Sequence, residues 1–159
     1  MARASSGSAV TSTRSPRFPH RRPQKPRDGG LWWADVRELG LQLPNTEEGI
    51  AWGTPVLRLN GNIFAALPIH KSAEPGSLSI HCDTSVRDAM IEEQPDIYYT
   101  AAHYENYPVV LVRLSRISRD VLDDLLRMAH KHVARKPPNR RAKATRTRRG
   151  IRTSRRSVR

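Results

Sequence analysis

The densest chemistry in this sequence lies near its C-terminal end. There Arg140, Arg141, Lys143, Arg146, Arg148, Arg149, Arg152, Arg155 and Arg156 recur with no acidic residue among them. A flexible polycation attracts phosphates by releasing condensed counterions and needs no fixed geometry to do so. The run therefore points to sequence-independent nucleic-acid binding, and read blandly it is a solvated tail that meets other polyanions at most. A second set is geometric. Arg58, His81 and Arg113 lie in segments that alternate as strands, and their parity puts them on the sheet face away from the apolar residues, where a ligand or partner would meet them. The wet side of a half-buried sheet accounts for the same residues without any function. Tyr98, Tyr99, His103, Tyr104 and Tyr107 offer stacking surfaces for unpaired bases. Alternatively they pack beneath a loop with their hydroxyls bonded to backbone.

Other chemistry lacks the spacing it needs. His81 and Cys82 are adjacent and point to opposite faces of a strand, while His130 and His132 diverge on a helix, so no metal site and no cofactor is expected. Glu47-Glu48 and Glu92-Glu93 read as solvated charge in a loop and at a helix end. The glycines do not form a phosphate loop and no Ser or Cys nucleophile motif is present, so a non-enzymatic protein is expected.

Charge locates the elements that must position these groups. Of the 28 Lys and Arg, 7 lie in residues 1–27, 9 in 28–133 and 12 in 134–159, whereas all 15 Asp and Glu lie in 28–133. The middle segment is thus net −6, and the two ends carry +19 between them. The pI of 11.1 therefore speaks for the ends alone. The organisation expected is a disordered Ser/Arg/Pro-rich tail over 1–27, one folded domain over 28–136 and a disordered Arg/Lys-rich tail over 137–159. About 100 residues bury roughly two-thirds of their unfolded surface, enough for one core without staples. Cys82 is the only cysteine, which suits a reducing compartment. No apolar run approaches the roughly 20 residues of a membrane span, and a cytoplasmic location is expected. The Arg- and Ser-rich start overlaps with transit peptides, but Pro16, Pro19, Pro23 and Pro26 break any amphipathic helix there.

Within the domain, Asn60-Gly61 between two apolar runs predicts a two-residue β-hairpin with a type I′ turn, in which Leu59 faces Asn62, Arg58 lies beside Ile63 and Leu57 faces Phe64. Trp32, Val36, Leu39 and Leu43 mark a first helix, with Asn45–Gly49 a polar loop after it. Further strands are predicted at Ser77–Cys82, near Tyr98–Thr100 and at Pro108–Leu114. A short helix begins at Asp83 or Thr84, and a final amphipathic helix is capped by Ser118. The order αβββαββα predicts an α+β fold: an antiparallel sheet of about five strands with helices packed on one face.

The blocks WGTPVLRLNGNIFA, SLSIHCDTSVRDAM and HYENYPVVLVRL, followed by the final helix, resemble the YjbR/MmcQ-like family in order and spacing over about Trp33 to Lys136. The resemblance implies a compact fold similar to frataxin-like (CyaY-like) and secretion-chaperone-like domains. It also implies a DNA-binding role, so DNA is expected as partner more than RNA, with no catalytic residues to carry over. The chain departs from the usual pattern at Asn62, where a Lys is common, and at Val109, where a Trp is common. Both departures shift the expected binding from the domain to the tails. The runner-up is a protein-interaction module, because the implied fold is shared with chaperones that bind partner chains.

Overall fold

Two successive two-residue turns fold residues 46–66 into a three-stranded meander in the computed structural model, which describes residues 29–140. The strands are β1 (Thr46–Ala51), β2 (Thr54–Leu59) and β3 (Asn62–Ala66). At Asn60-Gly61 the φ values are 50° and 81°, and at Trp52-Gly53 they are again 50° and 81°. Positive φ at both positions is the type I′ pattern, whose twist matches that of paired strands. The chain continues through β4 (Ser77–His81), β5 (Tyr98–Tyr99) and β6 (Val109–Arg113), giving one antiparallel sheet in the order β1-β2-β3-β4-β6-β5.

Six strands therefore replace the five expected, and Asn45–Gly49 is largely strand rather than loop. The cause is that β1 is held by its ladder to β2 and not by its own side chains, which are polar or small apart from an exposed Ile50. Such an edge strand carries no alternation to read. Glu48 ties it sideways to helix α1 (Trp33–Leu41), accepting from Trp33 Nε1 at 3.2 Å and from Arg37 Nε at 2.6 Å. Glu48 thus has partners where solvated charge was expected.

The β2–β3 register holds as predicted for Leu59↔Asn62 and Arg58↔Ile63, then shifts so that Leu57 pairs with Ala65 and Val56 with Ala66. Phe64 is the extra residue of the bulge, not the partner of Leu57. The bulge lets Phe64 and Ala65 both join the main core.

All three helices pack on that core face. Helix α3 (Arg119–Ala134) contributes Leu122, Leu125, Leu126, Ala129 and Val133, and α1 contributes Trp33, Val36 and Leu39. Met90 and Ile91 of α2 (Thr84–Glu93) pack at the margin. Ser118 Oγ caps α3 by accepting from Val121 N at 3.4 Å. Arg119 joins α3 to α1 through Asp35 at 3.0 Å and Glu38 at 2.7 Å. After α3 the chain crosses the β2–β3 hairpin tip: Asn62 Nδ2 donates to Pro137 O and Asn139 N donates to Asn60 O, each at 2.9 Å.

Gly40 explains how α1 comes so close to the sheet. A Cβ there would overlap Leu57 Cδ1, and Leu57 is fully buried and has nowhere to go. Gly40→Ala gains about 1 kcal/mol of helix propensity but overpacks the core at a cost of roughly 1–3 kcal/mol. Urea denaturation of the variant should therefore show a lower midpoint at unchanged m-value, and a raised midpoint would show that the contact yields freely.

Candidate nucleic-acid interface

The face opposite the helices carries Val56, Arg58, Ile63, Ser79, His81, Leu111 and Arg113, as strand parity requires. Its two halves differ. Toward β6, Tyr104, Val109 and Leu111 form a second small core with Ala73, Tyr99 and Ala101, so loops cover the sheet there. Toward β2 and β3 the face opens into a cleft of about 230 Å³, lined by Trp52, Arg58, Ile63, His81, Lys136 and Asn139 together with the Gly61-Asn62 corner.

Each lining group is placed by local structure. The Arg58 side chain lies over Gly49 of the neighbouring strand, where a Cβ would sit 3.6 Å from its Nε. Its Nη2 donates to Ile50 O at 3.3 Å, while Nε is enclosed without a hydrogen-bond partner. Lys136 and Asn139 belong to the segment strapped across the hairpin tip by the Asn62–Pro137 and Asn139–Asn60 bonds. His81 has its Nδ1 enclosed and unpartnered. Burial first, then the charges of Lys136 and His132, pull its pKa down to about 4, so it is neutral at physiological pH. His81 thus lines the expected site without adding charge to it, and the cations are Arg58 and Lys136. No carboxylate lines the cleft.

Trp52 was not singled out by the sequence. It occupies the first position of its turn at φ 50° and is 70% exposed. Left-handed backbone costs a residue with a Cβ on the order of 1 kcal/mol, and Asn or Gly is the usual occupant. The signal was a Trp directly before a Gly at the end of a polar segment, which reads as a hairpin only once β1 is known.

Arg113 is on the predicted face but not in the cleft, because β6 stands three strands from β2. Its Nε and Nη2 grip the Glu74 carboxylate, each at 2.7 Å, and Nη1 donates to Pro95 O at 3.0 Å and Asp96 O at 3.1 Å. The guanidinium also lies 4.3 Å from the Tyr99 ring centroid. The hydrogen bonds from Arg113 hold the Glu74 carboxyl below its usual range. A guanidinium so committed ties loops together and lies outside the cleft that holds Arg58 and His81. The tyrosines follow suit: Tyr99 OH accepts from Glu74 N at 2.8 Å and Tyr104 OH accepts from His70 N at 3.2 Å. These two aromatics pack beneath loops rather than offer stacking faces. Arg140 is exposed where the described residues end, and Arg141, Lys143, Arg146, Arg148, Arg149, Arg152, Arg155 and Arg156 lie outside them. Among the described residues no helix is long and apolar enough to cross a membrane.

A family model described as YjbR matches residues 41–132. "Uncharacterized protein Rv2570" of Mycobacterium tuberculosis is 30% identical over 109 residues, spanning 59% of this chain and 81% of that protein. "Uncharacterized protein Mb2600" of Mycobacterium bovis matches to the same extent. Among solved structures, the Deinococcus radiodurans protein DR2400, which carries a domain of the family model DUF419, has a TM-score of 0.56 at 20% identity. That likeness covers 72% of this chain and 86% of the other and is one of fold.

Two outcomes separate the roles of these side chains. Arg113→Ala should lower stability by roughly 1–3 kcal/mol through its lost charge-assisted bonds. It should leave the oligonucleotide affinity of the folded protein within about twofold of the parent, and a larger loss of affinity would restore Arg113 to the binding surface. For His81, folded and unfolded chains both hold a neutral imidazole above about pH 6.5. Between about 6.5 and about 4 only the unfolded chain takes up the proton, so stability falls as acid is added. Urea denaturation should show this group removing roughly 2 kcal/mol between about pH 7.5 and pH 5. His81→Asn should flatten that slope, and an unchanged slope would assign the acid sensitivity to other groups.

Proposed function

The chain belongs to the YjbR family, and from that premise we propose that it is a non-enzymatic nucleic-acid-associated protein, with DNA the preferred partner. Its basic C-terminal run supplies most of the affinity, without regard to sequence. The N-terminal basic residues add to it. The observation that carries this reading is the join between run and domain. Lys136 and Asn139 line the carboxylate-free cleft beside Arg58, and the chain goes directly from them into Arg140 and the basic residues that follow. The basic run therefore starts at a cleft edge where the domain presents cations of its own.

The non-enzymatic part of the proposal assigns no chemistry to the single cysteine. Cys82 is buried and its thiol is pushed up to about 11, chiefly by that burial, so it is not a nucleophile at neutral pH. A second reading, a protein-interaction module, draws on β1 as an open sheet edge with Ile50 68% exposed on it.

Fluorescence anisotropy on the full chain tests the first reading. If six to ten basic residues meet phosphates, duplex affinity falls roughly 10³- to 10⁵-fold between about 50 and 200 mM salt. Replacing the Lys and Arg residues from Arg141 to Arg156 by Gln should remove nearly all binding. A titration flat in salt overturns the reading. Loss of DNA binding in that variant with full retention of a protein partner would give the domain itself to the second.

A further inference from the structure

We infer that the cleft beside Trp52 receives an unpaired nucleotide, its base stacked on the indole and its phosphate held by Arg58 and Lys136, so that the domain distinguishes single-stranded from duplex nucleic acid. The inference rests on the nucleic-acid reading above and narrows it to a chemical preference at one site.

Three observations converge. Trp52 keeps 70% of its surface in water at a turn position whose left-handed backbone favours Asn or Gly, so neither burial nor turn preference accounts for an indole there. The other two tryptophans behave differently: Trp33 is buried in the core and Trp32 is half-buried beside it. Second, the backbone around the indole and the Arg58 side chain are held in place by the fold itself. The type I′ turn sets the Trp52 backbone, the Arg58 side chain lies along Gly49, and Lys136 stands next to the Pro137 carbonyl that is bonded to Asn62. Third, the charge is of one sign. Arg58 and Lys136 are the ionised lining groups, His81 is neutral, and no carboxylate joins them.

An aromatic plane beside two cations matches a base joined to its phosphate, since every base has a face to stack and no hydrogen-bond code is needed. In a duplex both faces of each base are already covered by neighbours, so the indole has nothing to take. About 230 Å³ admits one flat ring system and not a paired helix. The tail residues attract either form of nucleic acid, and the cleft adds a preference that the tails lack.

The test uses the full chain carrying Trp52→Asn, with a short oligothymidylate and a duplex of equal length as probes. Asn suits the turn, so the thermal midpoint should hold or rise, while affinity for the oligothymidylate falls roughly tenfold through the lost stacking. Duplex affinity should change by less than about twofold, and Trp52→Phe should keep most single-strand binding. Equal affinity of Trp52→Asn and parent for the oligothymidylate overturns the inference, as does an equal loss for both probes. A glutamate-rich peptide that displaces the oligothymidylate from the parent but not from Trp52→Asn, at matched concentration, also overturns it, by making the cleft a site for acidic chains. The tail variant with Gln from Arg141 to Arg156 separates the two readings. If it still binds duplex, the tail reading fails while the Trp52 effect stands. If the parent binds duplex but no short single strand, the cleft fails and the tails remain.

Discussion

A one-residue bulge in the β2–β3 ladder divides this molecule into a core side and a cleft side. With strict alternation from Asn60-Gly61, Ala65 would share the Arg58 face and only Phe64 would reach the core. The slip after Arg58↔Ile63 instead pairs Leu57 with Ala65, so that two consecutive residues of β3 serve the core. Phe64 meets α3, with its ring edge-on to His130 at 5.7 Å. Ala65 stays in step with Ile80 on β4. Arg58 and Ile63 remain on the other side, and the cleft is built around them. The bulge adds local twist. It is the point at which core packing and the open face cease to share one register.

Much of this was legible because burial and periodicity agree. Helix α3 is readable because five of its residues are buried in one stripe and Ser118 has a donor to accept from. Asn60-Gly61 fixes its turn because both residues tolerate positive φ. The bulge is not legible, since in the run Ile63–Ala66 every residue is apolar and no polar residue marks a face. Strand β1 is hidden for the opposite reason: Thr46–Ala51 offers almost nothing apolar, and its order comes from backbone pairing to β2 and from Glu48 reaching α1. Parity put Arg113 on the correct face, but its grip on Glu74 spans 39 positions and leaves no local trace. Lys136 joins Arg58 only because two hydrogen bonds carry the end of α3 over the hairpin tip.

The electrostatics follow the layers. Asp35, Glu38, Asp88, Glu92, Glu93, Asp120, Asp123 and Asp124 all stand on helices, which occupy the core side of the sheet. The domain is therefore net acidic while its cleft is lined by cations. A neutral His81 contributes to this order, because a further cation enclosed beside Lys136 would be repelled by it. Asn62 has a similar double effect. Its amide donates to Pro137 O, so the hairpin tip carries no charge at this position and instead fixes the path of residues 137–139.

That fixed path sets how the two modes of binding combine under the proposed reading. A polycation joined to the domain at random would raise the concentration of nucleic acid everywhere around it. One that begins at Arg140, a residue past the cleft wall, raises it at the cleft. Contact of a strand with the basic run then turns engagement of Trp52 into an intramolecular event, with an effective concentration set by a tether of almost no length. Under that reading a site for one nucleotide is too small to capture a polymer by itself, and a run of like charges is too indiscriminate to choose between strands. Placed end to end, the two would divide the work of the proposed function: the run whether nucleic acid is held, the cleft which form is held longer.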